Sequence, residues 1–448
     1  MGNSIVKLAP KHTSDHLHAP TATGKNNRLV NRQLAFQAGY NPPIFSSGVP
    51  MGLPVLQTDI AIIGGGIAGL WTLNQLRNRG FNAVLFEQEA LGSYQTVGSQ
   101  GMIHGGIKYA LSGAWSGSSE AISTMPGVWR SCLQGSGKVD LRGTKVLSED
   151  FYLWSHSGLT SKVSSFFASK MLRGRVDKLA PRDYPPPLRS DKFKGQAYRL
   201  VDLVLDVPSV VAALAEQHRE AIYSIDWNQA SLERDGGRGF IRSPDWELHP
   251  RQLILTAGAG NEALISALGG SEPAMQRRPL QQVVMKHEYP EPFYSHCTGG
   301  SASPRLTISS HKTSNSEPVW YLGGDLATEG ADADPAQLIQ KAQREIAELL
   351  PWIDFGQCHW RTVRLDRGEP LQSALLRPDS AFVGPVDSVN NALVGWPTKL
   401  SLTPNLADEI DIALMARGID PGPATDLAPL AAIGRPGVAA TYWDTLFA

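Results

Sequence analysis

The clearest pattern in the chain is a set of apolar runs punctuated by glycine. Thr58 to Ile63 (TDIAII) is continuously apolar and ends in glycines, the pattern of a parallel strand buried on both faces. Leu70 to Arg79 follows with helical character, carrying Leu70, Leu73 and Leu76, and Gly80 stands where a left-handed residue closes a helix. Ala83 to Phe86 (AVLF) reads as the next buried strand, with Glu87 at its end. Asp206-Val-Pro208 opens a helix with an acidic cap and an early proline, and Val210, Val211 and Leu214 supply its apolar stripe. Asp235-Gly-Gly237 predicts a turn between short strands, and Gln252 to Thr256 (QLILT) a buried strand running into Ala257-Gly258-Ala-Gly260.

Later segments change character. Residues 130–200 mix aromatic, proline and basic residues, with Pro185-Pro-Pro187 as a loop. Residues 279–325 alternate short strand-like runs with turns, which predicts an antiparallel sheet. Asp334-Pro335 opens an amphipathic helix with Leu338, Ile339, Ala342, Ile346 and Leu349. Phe382-Val-Gly384 and Ala392 to Gly395 read as strands. Asn405 to Ala416 reads as a helix with Ile410, Leu414 and Met415 inward, ended by Gly418. No internal repeat is visible. The order of elements predicts an α/β fold with two interleaved parts. A doubly wound, Rossmann-like dinucleotide-binding domain is drawn from residues 52–120, 200–270 and 362–420, and a second, mostly antiparallel α+β substrate domain from 121–199 and 271–361. Residues 1–51 read as a poorly ordered extension, with Met51 as an alternative start, and 421–448 as a C-terminal tail.

Composition narrows the class. With 448 residues, 42% hydrophobic and 19% charged, the chain is that of an ordinary globular protein. A formal net charge of −1 gives no footing for a nucleic-acid partner. Cys132, Cys297 and Cys358 are widely spaced and odd in number, which is neither a disulfide framework nor a metal array and fits a reducing compartment. His12, His16 and His18 lie in a polar N-terminal stretch and read as solvated; the other histidines lack ligand spacing, so no metal site is expected. No run reaches the roughly 18–20 uncharged apolar residues of a membrane span. A cytoplasmic location is expected, with peripheral attachment at a membrane left open.

Gly64, Gly66 and Gly69 form G-x-G-x-x-G between a strand and a helix. The first glycine allows a tight turn, the second lets the backbone approach a pyrophosphate, and the third permits close packing of helix on sheet. Amides at the helix start then face the phosphate, where the macrodipole favours negative charge. Glu87, at the end of the second strand, is placed to accept hydrogen bonds from ribose hydroxyls and would repel a 2′-phosphate, which argues against NADP. This motif assigns Gly64, Gly66, Ile67, Ala68, Gly69, Glu87 and Gln88 to a dinucleotide, without deciding between NAD and FAD.

The segments downstream carry a resemblance. Ser99-Gln-Gly-Met-Ile-His104-Gly-Gly-Ile-Lys108-Tyr109 resembles the Ile-His-Gly-Gly-Leu-Arg-Tyr motif of FAD-dependent glycerol-3-phosphate dehydrogenases, and L-2-hydroxyglutarate oxidases carry a looser version. Both belong to the D-amino-acid oxidase-like superfamily. Leu255-Thr-Ala-Gly258 resembles that superfamily's second strand-to-glycine turn, Trp320-Tyr-Leu-Gly-Gly324 the strand closing its substrate sheet, and Gly395-Trp-Pro-Thr-Lys399-Leu-Ser-Leu-Thr403 the segment passing its flavin ring. The resemblance runs in order over roughly residues 55–416. It implies a non-covalently held FAD in an extended pose, contacted by Ser99, Gln100, Gly101, His104, Gly105, Ala257, Gly258, Lys399 and Leu400. Two departures separate the chain from glycerol-3-phosphate dehydrogenases. Lys108 replaces an arginine that contacts phosphate, losing the bidentate fork. The chain also ends without room for their additional C-terminal helical domain.

A flavin takes a hydride from a carbon bearing OH or NH, and the protein holds that carbon against the ring. For an alcohol a base must take the hydroxyl proton, and the resemblance makes His104 the candidate. An anionic substrate needs a cationic anchor. Alternation along His359 to Pro370 puts Arg361, Val363 and Leu365 on one face and Thr362, Arg364 and Asp366 on the other. The family's substrate-binding arginine, in the strand returning to the flavin domain, matches Arg364, with Arg367 second. Lys399 is placed to stabilise the reduced flavin, and Lys108 and Tyr109 to line the pocket mouth. His287 reads as a strand residue, and Trp115, Trp129 and Trp154 as core.

The chain is therefore expected to be an FAD-dependent dehydrogenase or oxidase. Its expected partners are a small, anionic hydroxy acid or polyol derivative and an electron acceptor: oxygen, a quinone or a carrier protein. An amine or amino-acid oxidase of the glycine-oxidase type is the alternative, and a flavin-binding protein without turnover is a third reading.

Overall fold

The computed structural model describes residues 53–105, 118–156, 176–299, 303–371 and 380–448. The expected N-terminal extension and Lys108, Tyr109 and Trp115 lie outside them. In chain order the elements begin with β1 (Val55–Ile63), α1 (Ile67–Asn78), β2 (Ala83–Glu87), β3 (Met102–Ile103) and α2 (Ser118–Leu133). Next come β4 (Val146–Ser148), β5 (Phe151–Ser155), β6 (Val176–Lys178), β7 (Gln196–Leu200), β8 (Leu203–Leu205) and α3 (Val207–Gln217). They are followed by β9 (Ile222–Ser224), β10 (Ser231–Asp235), β11 (Arg238–Arg242), β12 (Glu247–Leu255) and α4 (Asn261–Ala267). β13 (Met275–Lys286), β14 (Ser295–Thr298), β15 (Pro304–Lys312) and β16 (Pro318–Gly323) lead to α5 (Asp325–Glu329) and α6 (Pro335–Leu349). The last are β17 (His359–Pro370), β18 (Phe382–Pro385), β19 (Ala392–Trp396), α7 (Thr403–Ala416) and α8 (Tyr442–Leu446).

Two eight-stranded sheets dominate. In the first, β10, β11, β12, β1, β2 and β9 lie in that order, with β19 beside β12 and β18 beside β19. β1 runs parallel to both β12 and β2, β2 is parallel to β9, and β12 is parallel to β19. Its central strands are apolar on both faces because both are covered. Ile60, Ile62, Leu85 and Ile254 pack under α1, α3 and α7, whereas Ala61, Ile63, Val84, Phe86 and Leu255 pack with Ile241, Trp246 and Ile265 on the other side.

The second sheet has the order β17, β13, β16, β15, β14, β5, β7, β6 and is mostly antiparallel, β14 and β5 being parallel. One face, with Val283, Met285, Leu306, Ile308, Trp320 and Leu322, packs against Leu338, Ala342, Ile346 and Leu349 of α6. Trp129 and Trp154 are fully buried, as core residues should be. β3, β8 and β4, in that order, form a small third sheet.

Local expectations hold where a cap or turn states them. Asp206 accepts from Ser209 N–H at 3.1 Å and starts α3. Asp334 accepts from Ala336 and Gln337 N–H at 2.9 and 3.2 Å and starts α6. Gly236 and Gly237 take φ of 52° and 75° in the β10–β11 hairpin, where L side chains are strained. Three details differ. The QLILT strand begins earlier, at Glu247, and Pro186–Leu188 forms a 3₁₀ turn rather than an irregular loop. The helix expected from Asn405 begins at Thr403, with Pro404 in its first turn, and Met415 is 54% exposed. Met415 follows Ile410 by five residues, about 140° around the axis, so it points away from the face that Ile410 and Leu414 bury.

Candidate active site

The glycine loop between β1 and α1 is built as a cradle. Gly64 has φ 111°, and a Cβ there would lie 2.7 Å from the backbone of Ala257, the turn that follows β12. A Cβ on Gly69 would lie 2.0 Å from the Gly64 carbonyl oxygen, so only glycine lets α1 approach the strand this closely. Two groups that the motif does not name complete the loop. Thr96 Oγ1 accepts from Ile67 N–H at 3.1 Å, and Thr256 Oγ1 donates to the Gly64 carbonyl at 3.1 Å.

Glu87 closes the far end of the cradle. Its carboxylate accepts from Gly65 N–H at 2.6 Å and Glu89 N–H at 2.8 Å. Burial raises its pKa, and these backbone donors pull the other way.

The segment after the cradle is pinned between the two sheets. Gly101 has φ 72°, its carbonyl accepts from Leu205 N–H at 2.9 Å, and Met102 and Ile103 pair with Val204 and Leu203. Gly105 N–H donates to Asp202 at 2.9 Å, and His104 is buried between these anchors. Gln100 reaches the second sheet, donating to the Tyr321 carbonyl at 2.8 Å and to Ser309 Oγ at 3.3 Å. Tyr321 OH donates back to the Gly98 carbonyl at 3.2 Å. Strand β17 meets the same region: Gly368 N–H donates to Gln95 Oε1 at 3.0 Å, and a Cβ on Gly368 would be 2.6 Å from Ala259 N. Lys399 is buried in the turn after β19, behind Thr398 at φ 59°.

These contacts define which face of the second sheet looks toward the cradle. Register puts Val363, Leu365 and Arg367 of β17 on it, opposite Gln282, Leu280 and Arg278 of β13. Tyr321 and Gly323 of β16, Ser309 and Thr307 of β15, and His296 of β14 continue it. The face mixes buried apolar residues (Val363, Leu365, Leu280, Val284 and Tyr321) with neutral polar ones, and its charges are few. His296 Nδ1 lies 2.8 Å from Thr307 Oγ1, and Arg278 is paired with the buried Glu369. The strand pattern holds the signal for these residues, since Thr307, Ser309 and His311 alternate with Leu306, Ile308 and Ser310.

Known proteins decide the family. The model of the FAD-dependent oxidoreductase family matches residues 59–374. Probable FAD-dependent oxidoreductase PA4991 of Pseudomonas aeruginosa is 48% identical over 394 residues, covering 88% of this chain and 99% of that protein. The chain belongs to the FAD-dependent oxidoreductase family. The crystal structure of PA4991 superposes with a TM-score of 0.76 at 43% identity, over 88% of this chain and 99% of that one. Glycine oxidase from Geobacillus kaustophilus (TM-score 0.59, 16% identity, 84% and 98% covered) shares the fold. So does the dithionite-reduced L-α-glycerophosphate oxidase of Mycoplasma pneumoniae with FAD bound (0.57, 12%, 82% and 97%).

The residues of this FAD-dependent oxidoreductase fit that cofactor. The cradle of Gly64, Gly66, Ile67, Ala68 and Gly69 leads to Glu87 and Gln88 at one end, where a ribose would be held. The Ala257–Gly258 turn packs against Gly64 itself, and beyond it the Gln100–Gly105 segment meets the turn after β19 through β3. Arg364 is not brought to this place. Its guanidinium donates to the Ala331 carbonyl and pairs with Asp332 at 3.1 Å, on the face of β17 turned away from Gln100. Arg367 lies on the facing side, with Nε donating to the Arg278 carbonyl at 3.3 Å. His287 is a buried structural residue: Nδ1 accepts from Tyr289 N–H at 3.1 Å, and its ring meets Trp320 and Phe355 edge-on. Among the described residues no cluster of His, Cys, Asp or Glu could hold a metal, and no helix is long and apolar enough to cross a membrane.

Proposed function

We propose that this enzyme oxidises the carbinol carbon of a small hydroxy acid or polyol derivative. The observation that carries this reading is the face of the second sheet that looks toward the cradle. Gln282, Thr307 and His296 give it neutral hydrogen-bonding groups suited to hydroxyls, and its charges are few. Arg367, on the same face, anchors an acid group. His104, held by the Gly105–Asp202 bond, takes the hydroxyl proton. Lys399 places positive charge by the ring. When bound, non-covalently, FAD supplies the hydride acceptor. Residues 52–120, 200–270 and 362–420 then serve the cofactor and 121–199 and 271–361 the substrate. Every strand of the first sheet falls in the former set, and β17 crosses the boundary.

The likeness of residues 99–109 to the motif of glycerol-3-phosphate dehydrogenases and L-2-hydroxyglutarate oxidases supports an alcohol. The two fold neighbours divide on this point, one named for glycerophosphate and one for glycine, so fold does not choose between alcohol and amine. An anaerobic screen of hydroxy acids, glycerol phosphate and amino acids for bleaching of flavin absorbance tests the reading. Bleaching by a hydroxylated compound, lost in His104→Ala, is expected. Bleaching by amino acids alone, unaffected by His104→Ala, would replace it with amine oxidation.

A further inference from the structure

The C-terminal segment takes a course that the function above does not use. It runs first along the parallel sheet. Gly422 N–H donates to Asp59 at 3.0 Å, Ser224 N–H donates to the Gly434 carbonyl at 2.8 Å, and the Arg435 guanidinium lies 4.0 Å from the centre of the Tyr223 ring. Leu91 N–H then donates to Gly437 at 2.8 Å, and Ala439 N–H to Leu91 at 2.9 Å. Thr441 caps α8, which places Trp443 flat against His311, with ring centroids 4.2 Å apart and planes 20° apart. Trp443 also meets the Tyr321 ring at 5.8 Å.

His311 is buried on the face that looks toward the cradle, and its Nε2 lies 2.9 Å from Ser309 Oγ. The same oxygen lies 3.3 Å from Gln100 Nε2, which also donates to the Tyr321 carbonyl. An amide nitrogen only donates, so Ser309 accepts from Gln100 and turns its own proton to His311 Nε2. That chain needs a neutral imidazole protonated at Nδ1. Burial holds the ring neutral by pushing its pKa down to about 3. The sequence Trp443, His311, Ser309, Gln100 therefore links the C-terminal segment to the stretch read above as contacting flavin.

We infer that His311 is a positioning residue for the cofactor: clamped by Trp443, it orients Ser309 and thereby holds Gln100, and with it the Ser99–Gly105 segment, in the place that flavin binding requires. The inference rests on the reading that this segment touches the flavin. Flavin dissociation, followed by recovery of flavin fluorescence, and the visible absorbance of the holoenzyme test it. His311→Phe keeps the stack on Trp443 but removes the acceptor, and Ser309→Ala removes the link. Each is expected to weaken flavin binding about fivefold, the effect of one buried hydrogen bond, and to shift the flavin bands alike. The double variant is expected to be no worse than either single one. Trp443→Ala is expected to do the same, and Trp443→Phe to restore binding. Variants that lower Tm but leave flavin affinity and spectrum unchanged would overturn the inference. If a larger change prevents folding, Ser309→Ala decides alone. Gln100→Ala separates the two layers: no effect on flavin there removes the reading of the segment, whereas an effect there with none in Ser309→Ala removes only the role of His311.

Discussion

The two large sheets solve the same problem, burying a sheet within one chain, in opposite ways. The first is apolar on both faces, and beyond its strand ends it presents glycine turns and one carboxylate, Glu87. The second packs one apolar face against α6 and on the other sets polar side chains among smaller apolar clusters. A cofactor common to many enzymes can be held by peptide groups and glycines, which leave little room for variation. A substrate is recognised by side chains standing on strands, which can change one at a time without altering the fold. The first arrangement is therefore rigid in sequence and the second permissive.

The largest test of this contrast is Gly69→Ala. Its Cβ would meet the Gly64 carbonyl at 2.0 Å, a backbone clash that no rotamer relieves. A loss of about 3 kcal/mol or more is expected, with little flavin per purified chain, measured by absorbance after denaturation. Trp320→Ala in the second sheet should lower stability by about 3–5 kcal/mol, because Trp320 is fully buried, yet the folded fraction should keep its flavin. If flavin were lost in the native state as well, the two sheets would not divide their tasks as described.

Acid acts on the second sheet. His287 is buried and neutral, and burial lowers its pKa from 6.5 to about 4. The unfolded chain binds this proton more readily, so the contribution of His287 is full above about pH 6.5 and falls as pH drops toward 4. The loss should be on the order of 3 kcal/mol. Tm measured against pH should slope less steeply in His287→Phe over that range, and an unchanged slope would remove His287 as a source. The smallest effects separate the arginines. Arg367→Ala should raise KM for an acidic substrate about tenfold, roughly 1.5 kcal/mol, as expected for a lost charged hydrogen bond. Arg364→Ala should leave KM unchanged and cost less than about 1 kcal/mol, because its ion pair with Asp332 is half exposed. The reverse order would place the substrate on the other face of β17.

The same contrast explains what was legible in the sequence. The β1–α1–β2 unit announces itself because each position obeys a local rule: a continuous apolar run, glycines where backbone must approach backbone, a carboxylate at the strand end. The caps at Asp206 and Asp334 are equally local. Thr96, Gln282 and Ser309 escaped notice because their meaning depends on pairing between distant strands. Alternation in β15 marks a polar face but does not say what that face meets. Arg364 shows the limit most clearly. Alternation separated it correctly from Leu365, yet only the contact of Leu365 with Gly98 and the bond of Gln100 to Tyr321 reveal which side of β17 looks toward the cradle.

The pairing of β19 with β12 also bears on how the protein is made. β1 and β2 emerge from the ribosome early, but their sheet takes in residues 222–255 and then 382–396, with β5 to β7 of the second sheet before the first of these and β13 to β17 between them. During synthesis β1 can pair with β2 at once, but its other edge must wait for β12, nearly two hundred residues downstream, exposed to aggregation in the interval. Half-chains should accordingly be insoluble when made separately, and a chaperone that shields β1 until β12 arrives should raise the yield of the whole protein.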